Sequence, residues 1–153
     1  MAAYSFDSSA FIEPLRRHHK RKVFPALWAK IDALIKDGSI VATEFVKTEL
    51  SKKDDEIFGY VKTMDGLFVP FDGDQKPHLD QIMNRFPKWI PPDSTKNVGD
   101  PFVIALAKQC NLTVVTYEQN GTATDVRIPF ACKEFGVSCL HFVAFLEQIG
   151  YLG

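Results

Sequence analysis

Three carboxylates in this 153-residue chain stand where a solvated surface charge has no reason to be. Asp7 ends a short strand-like stretch, Glu49 lies inside an amphipathic segment, and Asp100 opens a proline-led apolar run. A fourth, Glu118, follows a β-branched run that ends in Thr116. Carboxylates gathered in a partly buried cleft repel one another and lose hydration, which raises their pKa values unless a cation offsets the charge. Mg2+ and Mn2+ prefer oxygen donors and keep several waters, so an acidic set without histidine or cysteine suits them better than zinc. A cation held there would activate water toward a phosphodiester and stabilise the charge that develops on the phosphate. Asp7, Glu49 and Asp100 are therefore candidate metal ligands and catalytic residues, with Glu118 assisting through metal or water. Ser8 and Thr116 are candidates for orienting them.

Positioning these acids requires elements that alternate. Tyr4 to Asp7 reads as a strand running into Ser8 and Ser9, residue types that stop strands and cap helices. Phe24, Leu27, Trp28, Ile31, Leu34 and Ile35 recur at helical spacing between Pro25 and Gly38. Ser39 to Ala42 reads as a buried strand, and Thr43 to about Tyr60 as one helix with Val46, Leu50 and Ile57 on its inner face. Glu49, four residues after Phe45 and three after Val46, leans toward the buried edge, whereas Glu44 lies about 140° away around the axis. Leu67 to Phe71 is a short strand or extended loop, with Pro70 weakening either. A helix from about Pro77 to Phe86 precedes a rigid connection through Pro91 and Pro92. PFVIALAKQC predicts a buried helix with Asp100 at its N-cap and Asn111 at its end. Leu112 to Thr116 predicts a strand, Asn120-Gly121 a turn, and Pro129 to Phe135 and His141 to Ile149 two helices around a strand near Val137 to Leu140. This alternation predicts an α/β fold in three layers, helices covering both faces of a central, mostly parallel sheet. In such sheets the ligand crevice lies outside the carboxyl ends of the strands, which is where Asp7, Thr116 and Glu118 would fall.

Each acid also has an ordinary role open to it. Asp100 before a proline can be an N-cap, Asp7 can cap beside Ser8 and Ser9, and Glu49 can pair with Lys52 or Lys53 on a solvated face. Glu118 and Thr116 can simply end a strand. The functional reading rests on their joint placement, because caps and surface pairs need not point to one end of one sheet.

With 46% apolar residues the chain can bury one good core, and its length is short for two ordinary domains. The formal net charge of −1 argues neither for nor against nucleic acid, so any such partner must meet a local patch. The basic run Arg16, Arg17, Lys20, Arg21 and Lys22, with His18 and His19 inside it, is the candidate for contacting a nucleic-acid backbone or is a solvated loop. Cys110, Cys132 and Cys139 form no CxxC pair and suit reduced core thiols. The opening MAAYSFDSSA has no basic-then-apolar leader, and no apolar run nears the roughly 20 residues that span a bilayer. The expectation is a cytoplasmic protein without a membrane partner.

Taken in order, these motifs resemble the PIN-domain family, in particular VapC-like toxin nucleases and their single-domain relatives. YSFDSS is similar to the family's first motif, FVKTEL to its second, and GDPFVIALAKQCNLTVVTYE to its third and fourth, with IPFACKEFGVSCLHFVAFL similar to its closing segment. The resemblance covers nearly the whole length and implies one PIN-like nuclease domain over residues 1–153. It implies a metal-dependent endoribonuclease using Mg2+ or Mn2+, an RNA substrate, a homodimer, and a small cognate antitoxin that covers the site of a toxin. Glu118 stands where an aspartate is common and a second neighbouring aspartate is missing, which leaves room for a weaker second metal position. Gly99 stands where alanine is frequent, a change expected to be harmless. The alternative is a PIN-like module that binds RNA or protein after losing hydrolysis. A phosphatase-like enzyme with Asp7 as nucleophile is disfavoured because Asp7 opens no DxD pair.

Overall fold

Among the described residues five short strands build a sheet in which every pairing is parallel, in the order β3-β2-β1-β4-β5. They are β1 (Tyr4–Phe6), β2 (Ile40–Thr43), β3 (Phe68–Val69), β4 (Thr113–Thr116) and β5 (Cys139–His141). The structure is a computed structural model that describes residues 2–90 and 98–151. All four residues of β2 and three of four in β4 are buried, the signature of strands covered on both faces. The chain steps outward from β1 to β2 and β3, then returns to lay β4 and β5 on the other side. The reversal between β1 and β4 opens a crevice at the strands' carboxyl ends.

Side chains of β1 alternate between the two covering layers. Tyr4 and Phe6 meet Phe145 of α8 (Phe142–Gln148) at centroid distances of 5.0 and 5.2 Å, and Phe6 also meets Phe11 of α1 (Ser9–Glu13) at 5.1 Å. Trp28 of α2 (Pro25–Lys36) stacks on Phe142 in the same layer. Ser5 points the other way and donates to the Val103 carbonyl of α6 (Asp100–Cys110) at 3.3 Å. Val103 to Ala107 are all buried, because α6 packs against β1, β2 and β4 while α5 (Lys76–Arg85) and α7 (Ile128–Glu134) cover it from behind. The expected three-layer α/β/α architecture is thus present, with a sheet that is wholly parallel.

Four local features depart from expectation. The helix expected over 43–60 is two, α3 (Glu44–Lys53) and α4 (Asp55–Val61), because Asp54 takes an extended conformation and its carboxylate accepts the Ile57 N–H at 3.0 Å. That is N-cap chemistry inside an apparently continuous apolar pattern. The basic run is no loop throughout, since Pro14–His18 continues α1 as a π-helical turn. Asn120-Gly121 makes no turn, and the reversal falls at Thr122, whose N–H donates to the Asp125 carbonyl. Elsewhere Asn111 ends α6 in the left-handed region at φ 57°, a conformation asparagine tolerates, and β3 stops just before Pro70. The connection through Pro91 and Pro92 lies outside the described residues. Cys132 is buried and Cys139 half-buried, but Cys110 is exposed and not a core thiol. No described helix is long and apolar enough to cross a membrane.

Candidate active site

The sheet fixes Asp7 first. Its N–H donates to the Val115 carbonyl at 3.0 Å, extending the β1–β4 ladder by one bond, and its side chain enters the crevice at 1% exposure. Oδ2 accepts from Ser9 Oγ at 2.6 Å and Thr116 Oγ1 at 3.0 Å, while Ser8 Oγ is 3.5 Å from Oδ1. Ser8 Oγ is also 3.5 Å from Glu49 Oε2, so it stands between two acids. Neither role is capping, since the Ser8 side chain makes no cap bond to α1. Thr116 uses its hydroxyl fully, donating to Asp7 and accepting the Glu118 N–H at 3.1 Å.

Helices bring the other acids. α3 leaves the carboxyl end of β2 directly, which puts Glu49 in its second turn over the crevice, 7% exposed. Lys53, one turn on, reaches Glu49 Oε2 at 3.4 Å, so the ordinary pairing and the inward placement coexist. Glu44 is turned elsewhere and accepts the Phe71 N–H. α6 feeds β4 at its far end, so its start lies at the strands' carboxyl edge, where Asp100 is 3% exposed. Asp100 is no N-cap, contrary to expectation, because Gly99 holds that position and no side-chain cap bond forms. A carboxylate buried in the first turn without capping it calls for another partner. Glu118, half-buried just beyond β4, accepts the Ile128 N–H on Oε2 at 2.9 Å.

Asp7, Ser8, Glu49, Asp100 and Glu118 line one cleft of about 330 Å³, together with Ser9, Arg16 and Lys53. Burial raises the pKa of Asp7, and its Ser9 and Thr116 bonds work against that rise. Burial and then the Asp7 charge raise Glu49, and they raise Asp100 well above the usual carboxylate range with Glu118 and Glu49 adding to the effect. Glu118 is pushed up to about 7 by burial first and Asp7 second. Lys53 opposes this for Asp7, Glu49 and Asp100. With Glu13 also in the lining, five acids face Lys53 and Arg16, which leaves an excess of negative charge.

A divalent cation fits that excess. Glu49 Oε1 and Asp100 Oδ2 are buried without a hydrogen-bond partner among the described residues, and the available donors are carboxylate oxygens. A Cβ at Gly99 would fall on Glu49 Oε1, so glycine there leaves that oxygen its place. The acids ring the cleft without forming a finished shell, since among the described residues no three His, Cys, Asp or Glu side chains stand at metal-ligand spacing.

The basic run divides. Arg16, Lys20, Arg21 and Lys22 line an adjoining cavity, Arg16 bordering both, whereas Arg17 lies outside the two and only approaches Glu13 at 4.0 Å. Two residues expected only in ordinary roles, Ser9 in a cap and Lys53 in a surface pair, also stand in the cleft. Ser9 is the shortest hydrogen bond to Asp7 and accepts the Tyr117 N–H at 2.9 Å, which a strand-ending Asp-Ser-Ser could have suggested. Lys53 is a counter-charge of the cleft beside Arg16, and its spacing four residues after Glu49 is the sequence signal for its pairing.

A family model described as "Domain of unknown function (DUF4411)" matches residues 4–151. The chain belongs to that family. No curated protein matches it. Among solved structures, this DUF4411 chain is similar to the DNA-bound VapBC from Salmonella typhimurium, at TM-score 0.60 and 16% identity over 93% of this chain and 99% of that one. It is also similar to FitAcB from Neisseria gonorrhoeae, at TM-score 0.58 and 18% identity over 92% and 98%. VapBC2 from Rickettsia felis, bound to a promoter DNA fragment, gives TM-score 0.54 and 13% identity over 91% and 98%. The DUF4411 chain thus has the PIN-like fold that its motifs led one to expect.

Proposed function

We propose that the protein is a metal-dependent endoribonuclease in which Asp7, Glu49 and Asp100 hold Mg2+ or Mn2+. The observation that carries this reading is that Glu49 Oε1 and Asp100 Oδ2, buried in the cleft that Asp7 and Glu118 also line, have no hydrogen-bond partner among the described residues. A bound cation would supply water activation and charge stabilisation at the phosphate. Ser9 and Thr116 hold Asp7 Oδ2 and so fix which carboxylate oxygen meets the ligand. Glu118, anchored through Oε2, keeps its other oxygen for the cleft and assists through cation or water. Arg16, Lys20, Arg21 and Lys22 supply positive charge for the RNA backbone beside the acids.

The sequence resemblance to VapC-like toxins, and the fold shared with VapBC and FitAB complexes, support a cytoplasmic, homodimeric toxin whose site a small cognate antitoxin covers. The test is cleavage of total RNA by purified protein with Mg2+, with Mn2+ and with chelator, beside Asp7→Asn and Asp100→Asn proteins of unchanged fold. Cutting that needs metal and vanishes in both variants is expected. Full activity in either variant removes that residue from the site. The binding-module reading draws on the engaged Oε2 of Glu118, and RNA retention without turnover under any condition would favour it.

A further inference from the structure

Beside the acidic cleft, between the π-helical turn and α4, lies a second cavity of about 380 Å³, within the roughly 300–1,000 Å³ usual for small-ligand pockets. We propose that it is a base-binding subsite that seats an unpaired nucleobase of the RNA next to the scissile phosphate. The proposal rests on the ribonuclease reading and adds to it a site that reads the substrate.

One wall is a planar cation. The Arg21 guanidinium lies 4.0 Å over the Tyr60 ring. That ring is itself fixed, its hydroxyl donating to Asp32 and its plane meeting Trp28 edge-on at 6.1 Å. A guanidinium layered on an anchored aromatic is a ready stacking platform, and single-stranded RNA is bound by stacking bases on aromatic and arginine planes. Lys20 and Lys22 offer charge at the same cavity, and Glu56 offers an acceptor.

The composition favours a base over a phosphate. A phosphate pocket has no use for carboxylates, yet Glu56 and Asp54 line this one along with apolar Leu15 and Ile57. A nucleobase has apolar faces and an edge carrying both donors and acceptors, which matches such a mixed lining. Continuity places it next to the chemistry. Arg16 borders both cavities, and its guanidinium is clamped by Asp54 Oδ2 at 2.6 Å and the Lys53 carbonyl at 2.8 Å. A strand with a phosphate over the acids would pass this fixed cation before its next base reaches Arg21.

The experiment measures fluorescence anisotropy of fluorescein-labelled octamers of A, C, G and U, and of a duplex RNA, with the Asp7→Asn chain in chelator. It is repeated with Arg21→Lys and with Arg21→Ala added. Lysine keeps the charge and loses the plane. Arg21 is exposed, so melting should be unaffected and serves as the folding control. The expected result is single-strand binding weakened about 5- to 150-fold by Arg21→Lys, the range for loss of one stacked base. Preference among the four octamers should flatten, and duplex binding should change little in Arg21→Lys, which keeps the charge.

Unchanged single-strand affinity and preference in Arg21→Lys would overturn the subsite, as would the absence of RNA binding in the parent chain. Arg21-dependent binding of polyglutamate without any single-strand preference would also overturn it, by assigning the cavity to an acidic protein segment. Metal-dependent cleavage by the unmodified chain is measured separately. Arg21-dependent octamer binding without cleavage would refute the nuclease and keep the base site, whereas cleavage with Arg21→Lys indifferent would do the reverse.

Discussion

Raising the pH should loosen this protein, and a divalent cation should undo the effect. Glu118 has a folded pKa of about 7 against an ordinary 4.5, so its contribution to stability is fully present below about pH 4.5 and is lost as pH rises through 7. At about 1.4 kcal/mol per pH unit, that interval is on the order of 3 kcal/mol. For a chain of this length each kcal/mol moves the melting temperature by about 2–4 °C, which gives a fall of roughly 6–12 °C between pH 5 and 8 without cation. Asp7, Glu49 and Asp100 act in the same direction. His19 acts in the opposite one, because burial lowers its pKa from 6.5 and costs stability as pH falls. The informative quantity is therefore the difference between the native chain and Glu118→Gln, which keeps an acceptor for the Ile128 N–H and cannot ionise. Calorimetric melts from pH 5 to 8, with chelator and with Mn2+, should show a shallower fall for Glu118→Gln. Stabilisation by Mn2+ should be larger at pH 8 than at pH 5, because the ligands must lose protons to bind it. Parallel pH profiles for the two proteins, or Mn2+ shifts independent of pH, would refute the picture of crowded acids awaiting a cation.

Ser9→Ala removes the 2.6 Å bond to Asp7 and leaves the Tyr117 N–H without its acceptor. Urea melts should show a loss of about 1–3 kcal/mol, and RNA cleavage should fall about 10- to 100-fold; native activity would show that Thr116 alone orients Asp7. Gly99→Ala, expected from the sequence to be harmless, places a methyl on Glu49 Oε1. Calorimetric titration should show weaker Mn2+ binding with near-native melting, because the carboxylate can swing aside but not stay in place, and unchanged affinity would remove Oε1 from the ligand set.

What the sequence could and could not reveal follows from the range of each interaction. Periodicity located most elements, since burial of Val46, Leu50, Val103 to Ala107 and Val114 to Val115 is a property of segments. The ordinary explanations for the acids were local, and only the fold could decide among them. Asp100 fails as a cap because Gly99 holds that position, a distinction of one residue that lies within the usual uncertainty of helix ends. The hydroxyls are a similar case. Ser8, Ser9 and Thr116 look like punctuation along the chain, but Ser9 and Thr116 meet on one oxygen of Asp7 across 107 residues, a contact without any sequence period.

Asp54 shows how one unforeseen break shapes the whole site. Its extended backbone ends α3, so Lys53 stands at the last turn of that helix, facing Glu49, and does not continue into α4. Its Oδ1 starts α4 by accepting the Ile57 N–H, which sets the direction of the helix that carries Tyr60. Its Oδ2 holds Arg16, and these two bonds together keep its pKa low, so the clamp remains charged when the neighbouring acids are not. Arg16 is thereby fixed at the wall shared by the acidic cleft and the Arg21–Tyr60 cavity, with the Lys53 carbonyl as its second acceptor. The side chain that interrupts the apparent helix of 43–60 is thus the one that joins the counter-charge, the basic patch and the acids into a single surface.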